Sequence, residues 1–74
     1  MAFQVTVIEL DSGKQVGRRP HGRFTTKTEA EFEAKRLAER FEHHNGFDPE
    51  QGYWWGRDPA PSRTYRYVVE GVQH

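Results

Sequence analysis

Thr26-Lys27-Thr28-Glu29-Ala30-Glu31-Phe32-Glu33-Ala34-Lys35-Arg36-Leu37-Ala38-Glu39-Arg40-Phe41 is the stretch on which the fold turns. At roughly 100° per residue, Ala30, Ala34, Leu37, Ala38 and Phe41 fall within one narrow arc, the stripe by which an amphipathic helix meets a core. Thr26 with Glu29 fits a capping box, and so does Thr28 with Glu31, so both place the helix start in the same turn. On the polar side Glu31 stands four residues before Lys35, and Glu33 three before Arg36, the spacings at which helical ion pairs meet. His43 and His44 are expected in the last turn, where positive charge suits the helix dipole, and Asn45-Gly46 is a stop signal.

On the N-terminal side, Phe3-Gln4-Val5-Thr6-Val7-Ile8-Glu9-Leu10 alternates and is rich in β-branched residues, so it reads as a strand. Phe3, Val5 and Val7 share one face. Ile8 and Leu10 fall on the other, which means burial on both sides or a bulge that shifts the register. Asp11-Ser12-Gly13 is turn chemistry, and Lys14-Gln15-Val16 reads as a short returning strand. Residues 17–23, Gly-Arg-Arg-Pro-His-Gly-Arg, hold no apolar side chain and read as a loop. Beyond the helix, 48–52 reads as a loop, Tyr53-Trp54-Trp55 as a short strand, 58–62 as a rigid turn and Thr64 to Val72 as a strand. Tyr65, Tyr67 and Val69 share one face of that last strand; Arg66, Val68 and Glu70 share the other. The expected fold is α+β, in the order β(β)αββ: a small antiparallel sheet of three to four strands with one amphipathic helix on one face. The chain, residues 1–74, is expected to form a single domain.

Composition narrows the function. The chain has 74 residues, of which 34% are hydrophobic and 30% charged, and eleven basic residues balance eleven acidic ones. Five Phe, three Tyr and two Trp give it apolar area to bury, so it is not a disordered tail. A domain this small holds only about 3–5 kcal/mol of stability. With no cysteine there is no disulfide, thiolate metal site or Cys nucleophile. No apolar stretch approaches the roughly 20 residues of a membrane span, and no leader opens the chain, so the expected location is the cytoplasm. Ser12 and Ser62 are turn residues with no nearby His to act as a base, and no enzymatic activity is expected. Adjacent His43 and His44 diverge on a helix, and His21 and His74 are far apart in the chain, so neither a metal nor another cofactor is expected.

Three features point to binding. Ser12 to Thr28 contains no acidic residue but holds Lys14, Arg18, Arg19, Arg23 and Lys27, a basic lobe in a neutral protein. It could grip phosphate or an acidic protein surface. Tyr53 and Trp55 point one way and Trp54 the other, so one large ring belongs to the sheet face that the helix leaves uncovered. Trp54 beside Arg66 on that face would suit single-stranded nucleic acid. Finally, Phe32 lies opposite the helix's apolar arc, among Glu29, Lys35, Arg36, Glu39 and His43. An outward Phe beside Arg has the composition of an interface anchor.

Trp55-Gly56-Arg57 spells the signature of the WGR domain, but that family places the motif before its main helix, and the chain order here excludes membership. Gly22 to Glu31 resembles the strand-to-helix entry of the arm-type DNA-binding domains of phage integrases, over ten residues that are mostly capping chemistry. In size and build alone, a short cysteine-free βαββ module without a catalytic site resembles small phage-encoded proteins that bind and inhibit host machinery, RNA polymerase among them. The first expectation is therefore a monomeric, non-enzymatic regulator docking on a larger protein. Phe32 and Arg36 would cover a surface another factor needs, aided by Arg18, Arg19 and Arg23. The second is a single-stranded nucleic-acid-binding module, with Trp54 stacking and Arg66, Lys14 and Lys27 meeting phosphates.

Overall fold

The computed structural model describes residues 2–41, 44–58 and 62–72. Its elements run β1 (Ala2–Asp11), β2 (Lys14–Phe24), α1 (Lys27–Ala38), β3 (Asn45–Asp48), β4 (Tyr53–Asp58) and β5 (Arg63–Val72). The strands form one antiparallel five-stranded sheet in the order β2-β1-β5-β4-β3, with α1 packed across one face. The α+β class and single helix match the sequence reading. The sheet has five strands rather than three or four, and the order is ββαβββ.

The returning strand expected at Lys14-Gln15-Val16 is present but runs on through the stretch that read as a loop, and a further strand, β3, follows the helix stop signal. Residues 17–23 belong to β2, an edge strand paired with β1 alone. An edge strand needs no alternating apolar pattern, because its outer side faces water. Arg18, Arg19, Pro20 and Arg23 instead blunt an edge that would otherwise recruit another strand. Gly22 takes φ +73° at a register shift opposite Gln4 and Val5, a glycine-dependent bulge in β2. On the far edge, Asn45-Gly46 does end the helical region but then opens β3, whose Phe47 pairs with Trp54.

β1 pairs with β5 without a register shift from Ala2 to Asp11. Its side-switching residues are buried on both faces, and its register against β2 also shifts between Glu9 and Leu10. Val5 and Val7 enter the helix-side core, whereas Thr6 (2% exposed) and Leu10 are buried outside that cluster. Tyr65, Tyr67 and Val69 meet Val5 and Val7 on the helix side, as their spacing predicts.

α1 begins at the N-cap Thr26, whose Oγ1 accepts from the Glu29 N–H. It ends at Ala38, earlier than expected. The Arg40 N–H donates to the Leu37 carbonyl and that of Phe41 to the Ala38 carbonyl, a tightening of the last turn. His44 is exposed after the helix, and His43 and His74 lie outside the described residues. Phe41 still reaches the core, stacked on Tyr65 with ring centroids 5.6 Å apart. Ala30, Ala34 and Ala38 let the helix lie close to the sheet, and Leu37 is the one large buried side chain that α1 itself supplies. No helix among the described residues is long and apolar enough to cross a membrane.

Candidate docking surface

With its alanines and Leu37 turned inward, α1 must present Phe32 outward, and Phe32 is 70% exposed. It stands as a ridge between two shallow depressions. One is walled by Phe24, Thr28 and Glu33; the other by Lys35, Phe47 and Trp54. Phe47 is itself 46% exposed and packs on Trp54 at 5.0 Å, while the Lys35 ammonium lies 5.9 Å from the Trp54 ring centroid. Rings from β2, α1, β3 and β4 thus form an aromatic band about the helix N-terminal half, with Phe32 and Phe47 exposed and Phe24 and Trp54 half-buried against the core. Single exposed apolar residues are ordinary; several sharing two depressions are the kind of surface that marks interaction sites.

Phe47 was not singled out from the sequence, because its stretch lacked strand signals. Trp54 requires a correction. It pairs with Tyr67, packs against the helix-side core and so lies on the covered face. The ring beside Arg66 on the open face is Trp55, directly opposite it across β4 and β5. The Arg66 guanidinium lies 5.2 Å from the Tyr53 ring centroid on that face, and the Trp55 indole lies over Gly46.

The basic residues do not form one lobe. Alternation along β2 sends Arg18 and Arg19 to opposite sides of the sheet. Arg18 binds Glu70 at 2.7 Å on the open side, whereas Arg19 lines a cleft at the C-terminal end of α1. Arg23 pairs in register with Gln4 and is engaged by a polar contact, Lys14 stands at the β1–β2 turn, and Lys27 lies 4.0 Å from Glu31. Arg18, Arg19 and Arg23 therefore do not flank Phe32 as a loop. Lys35 is drawn to Trp54, and it is Lys27 rather than Lys35 that meets Glu31.

Arg36 does sit on the helix exterior, but it is committed to Glu33, donating from Nε at 2.6 Å and from Nη2 at 2.8 Å. Oε2 of the same carboxylate, which accepts from Arg36 Nη2, also meets His21 Nε2 at 3.1 Å, tying α1 to β2. The Arg36 hydrogen bonds, opposed by burial and helped by His21, hold the Glu33 carboxyl down at about 2, against an ordinary 4.5. A carboxyl with a lowered folded pKa adds stability that is present above the ordinary value and lost as pH falls through the folded one. The thermal midpoint should therefore drop between pH 4.5 and about 2, and Glu33→Gln should flatten that part of the curve. Equal slopes in the two proteins would remove Glu33 from the acid response.

Comparison with known proteins finds no matching family, no matching curated protein and no matching solved structure.

Proposed function

We propose that this protein is a small non-enzymatic regulator that docks on a larger protein through the aromatic band centred on Phe32 and blocks or redirects that partner. The observation that carries this reading is the exposure of Phe32 between two depressions walled by Phe24 on one side and Phe47 and Trp54 on the other. An aromatic that leaves water on binding is the usual centre of an interface hot spot, and its ringed setting would exclude water once a partner pocket closes over it. A contact of standard size covers about 800 Å² per partner, and the whole accessible surface here is 5144 Å². One docking event would thus occupy a sizeable share of the molecule, which suits action by occlusion. Size and build make a phage-type inhibitor of host transcription machinery the favoured example, with RNA polymerase as the partner to try first.

The test is retention of purified RNA polymerase, and of lysate proteins, on the immobilised protein, wild type against Phe32→Ala. Phe32→Ala should abolish retention while changing folding stability by less than about 0.5 kcal/mol, as at other exposed sites. Loss of more than about 2 kcal/mol would make Phe32 structural. The same proteins retained by both forms would remove the band as the docking face. Failure of the wild type to hold polymerase would remove the transcription example.

A second reading rests on the open sheet face, where Tyr53, Arg66 and Trp55 lie side by side, the elements of a base-stacking and phosphate-neutralising surface. In it Trp55 takes the role first given to Trp54. Titration of tryptophan fluorescence with short single-stranded DNA and RNA would then give salt-sensitive quenching that Arg66→Ala weakens. A flat titration dismisses it.

A further inference from the structure

Among the described residues a further recess lies between the C-terminal end of α1 and the sheet. It is a half-open cleft of about 480 Å³, with Val7, Leu37 and Phe41 among its apolar lining. Arg19 from β2 and Arg40 from the turn after α1 stand on its walls, and Tyr65 and Tyr67 also line it. Neither guanidinium has a hydrogen-bond or ion-pair partner among the described residues, whereas Arg18, Arg36 and Arg63 are each matched to a glutamate.

The remaining charges on the cleft do not cancel this pair. His21 is held by Glu33, and Asp58, the carboxylate among the lining residues, is already engaged by a polar contact. Nor is Arg40 needed to cap the helix. The carbonyls of Lys35, Leu37, Ala38 and Phe41 already accept backbone N–H groups, and Phe41 also accepts from the Asn45 amide. Tyr67 adds a neutral donor: burial pushes its phenol up to about 12, with Arg19 and Arg40 acting in the opposite direction.

We propose that this cleft binds a phosphate monoester that also carries a flat aromatic ring, a ligand with the build of a 5′-mononucleotide. Two arginines on different elements suit a dianion better than a single carboxylate, because the three terminal oxygens of a phosphate monoester can accept from two guanidiniums at once. The stacked Phe41 and Tyr65 rings supply the aromatic part of the lining, and the volume lies within the range of small-molecule sites.

The experiment is a titration of the ¹⁵N-labelled protein with adenosine 5′-monophosphate, adenosine and inorganic phosphate, followed by backbone amide shifts. The nucleotide should move the Arg19, Leu37 and Tyr67 amides saturably, with a Kd at or below about 1 mM. Arg19→Gln and Arg40→Gln should each weaken it roughly tenfold. Arg57→Gln, on the other side of the sheet, should leave it unchanged. No saturation by about 10 mM, or binding indifferent to both cleft arginines, overturns the site. Adenosine or inorganic phosphate binding as tightly as the nucleotide overturns the ligand class.

Discussion

Gly56→Ala should strip the domain of most of its stability, although it adds a single methyl group. Gly56 is buried in β4, and a Cβ built there would overlap Phe41 Cδ2 and stand 2.7 Å from Cε2. The ring cannot yield by a small rotation, because its Cγ is also within 3.0 Å and Tyr65 is stacked against it. Either β4 moves away from the turn after the helix or Phe41 leaves the core. Overpacking of this kind costs about 1–3 kcal/mol, and exposing a Phe about as much again. Against a total of about 3–5 kcal/mol, the variant should be largely unfolded at physiological temperature. Denaturant unfolding of Gly56→Ala, Phe41→Ala and the double variant checks this. The double variant should be clearly less damaged than the sum of the singles, because the clash disappears with the ring. A Gly56→Ala change below about 0.5 kcal/mol would mean that the ring is not seated on β4.

Leu37→Ala should be nearly as damaging, for the opposite reason. Leu37 is 6% exposed in a core shared with Val5, Val7 and Tyr67, and the other buried residues of α1 are alanines. No neighbour on the helix has the length to refill the space, so the transfer and cavity costs add to about 2–5 kcal/mol. The contrast with Phe32→Ala on the same helix is the informative comparison. One residue should control folding without touching a partner, and the other partner binding without touching folding. Similar stability losses at both positions would mean that the helix faces are assigned wrongly.

Phe32 was readable as an outward residue because helical periodicity depends on spacing alone, and nothing folds over it. Its setting was not readable. Phe47 reaches the band only because β3 pairs with β4, and Trp54 joins it only because β4 presents its even-numbered side chains to the helix. In a three-residue run of aromatics the alternation is certain but its phase is not. That phase is set by the register against β5, where Trp54 meets Tyr67 and Trp55 meets Arg66. The cleft was equally hidden, since Arg19 and Arg40 belong to elements far apart in the chain.

Periodic burial wrote α1, β1 and β5 into local sequence, because each buries a continuous stripe or alternating face and must carry matching apolar residues. The cap at Thr26, the outward place of Phe32 and the pairing of Glu33 with Arg36 follow from the same short-range rules. β2 and β3 were left to tertiary contact. As edge strands they are held by backbone hydrogen bonds on one side, which any non-proline residue can supply, so their side chains were free to be arginine, glycine and asparagine. Which arginines are paired, which ring faces solvent and where the cleft opens were likewise decided by strand order and register, quantities that no local run of residues encodes.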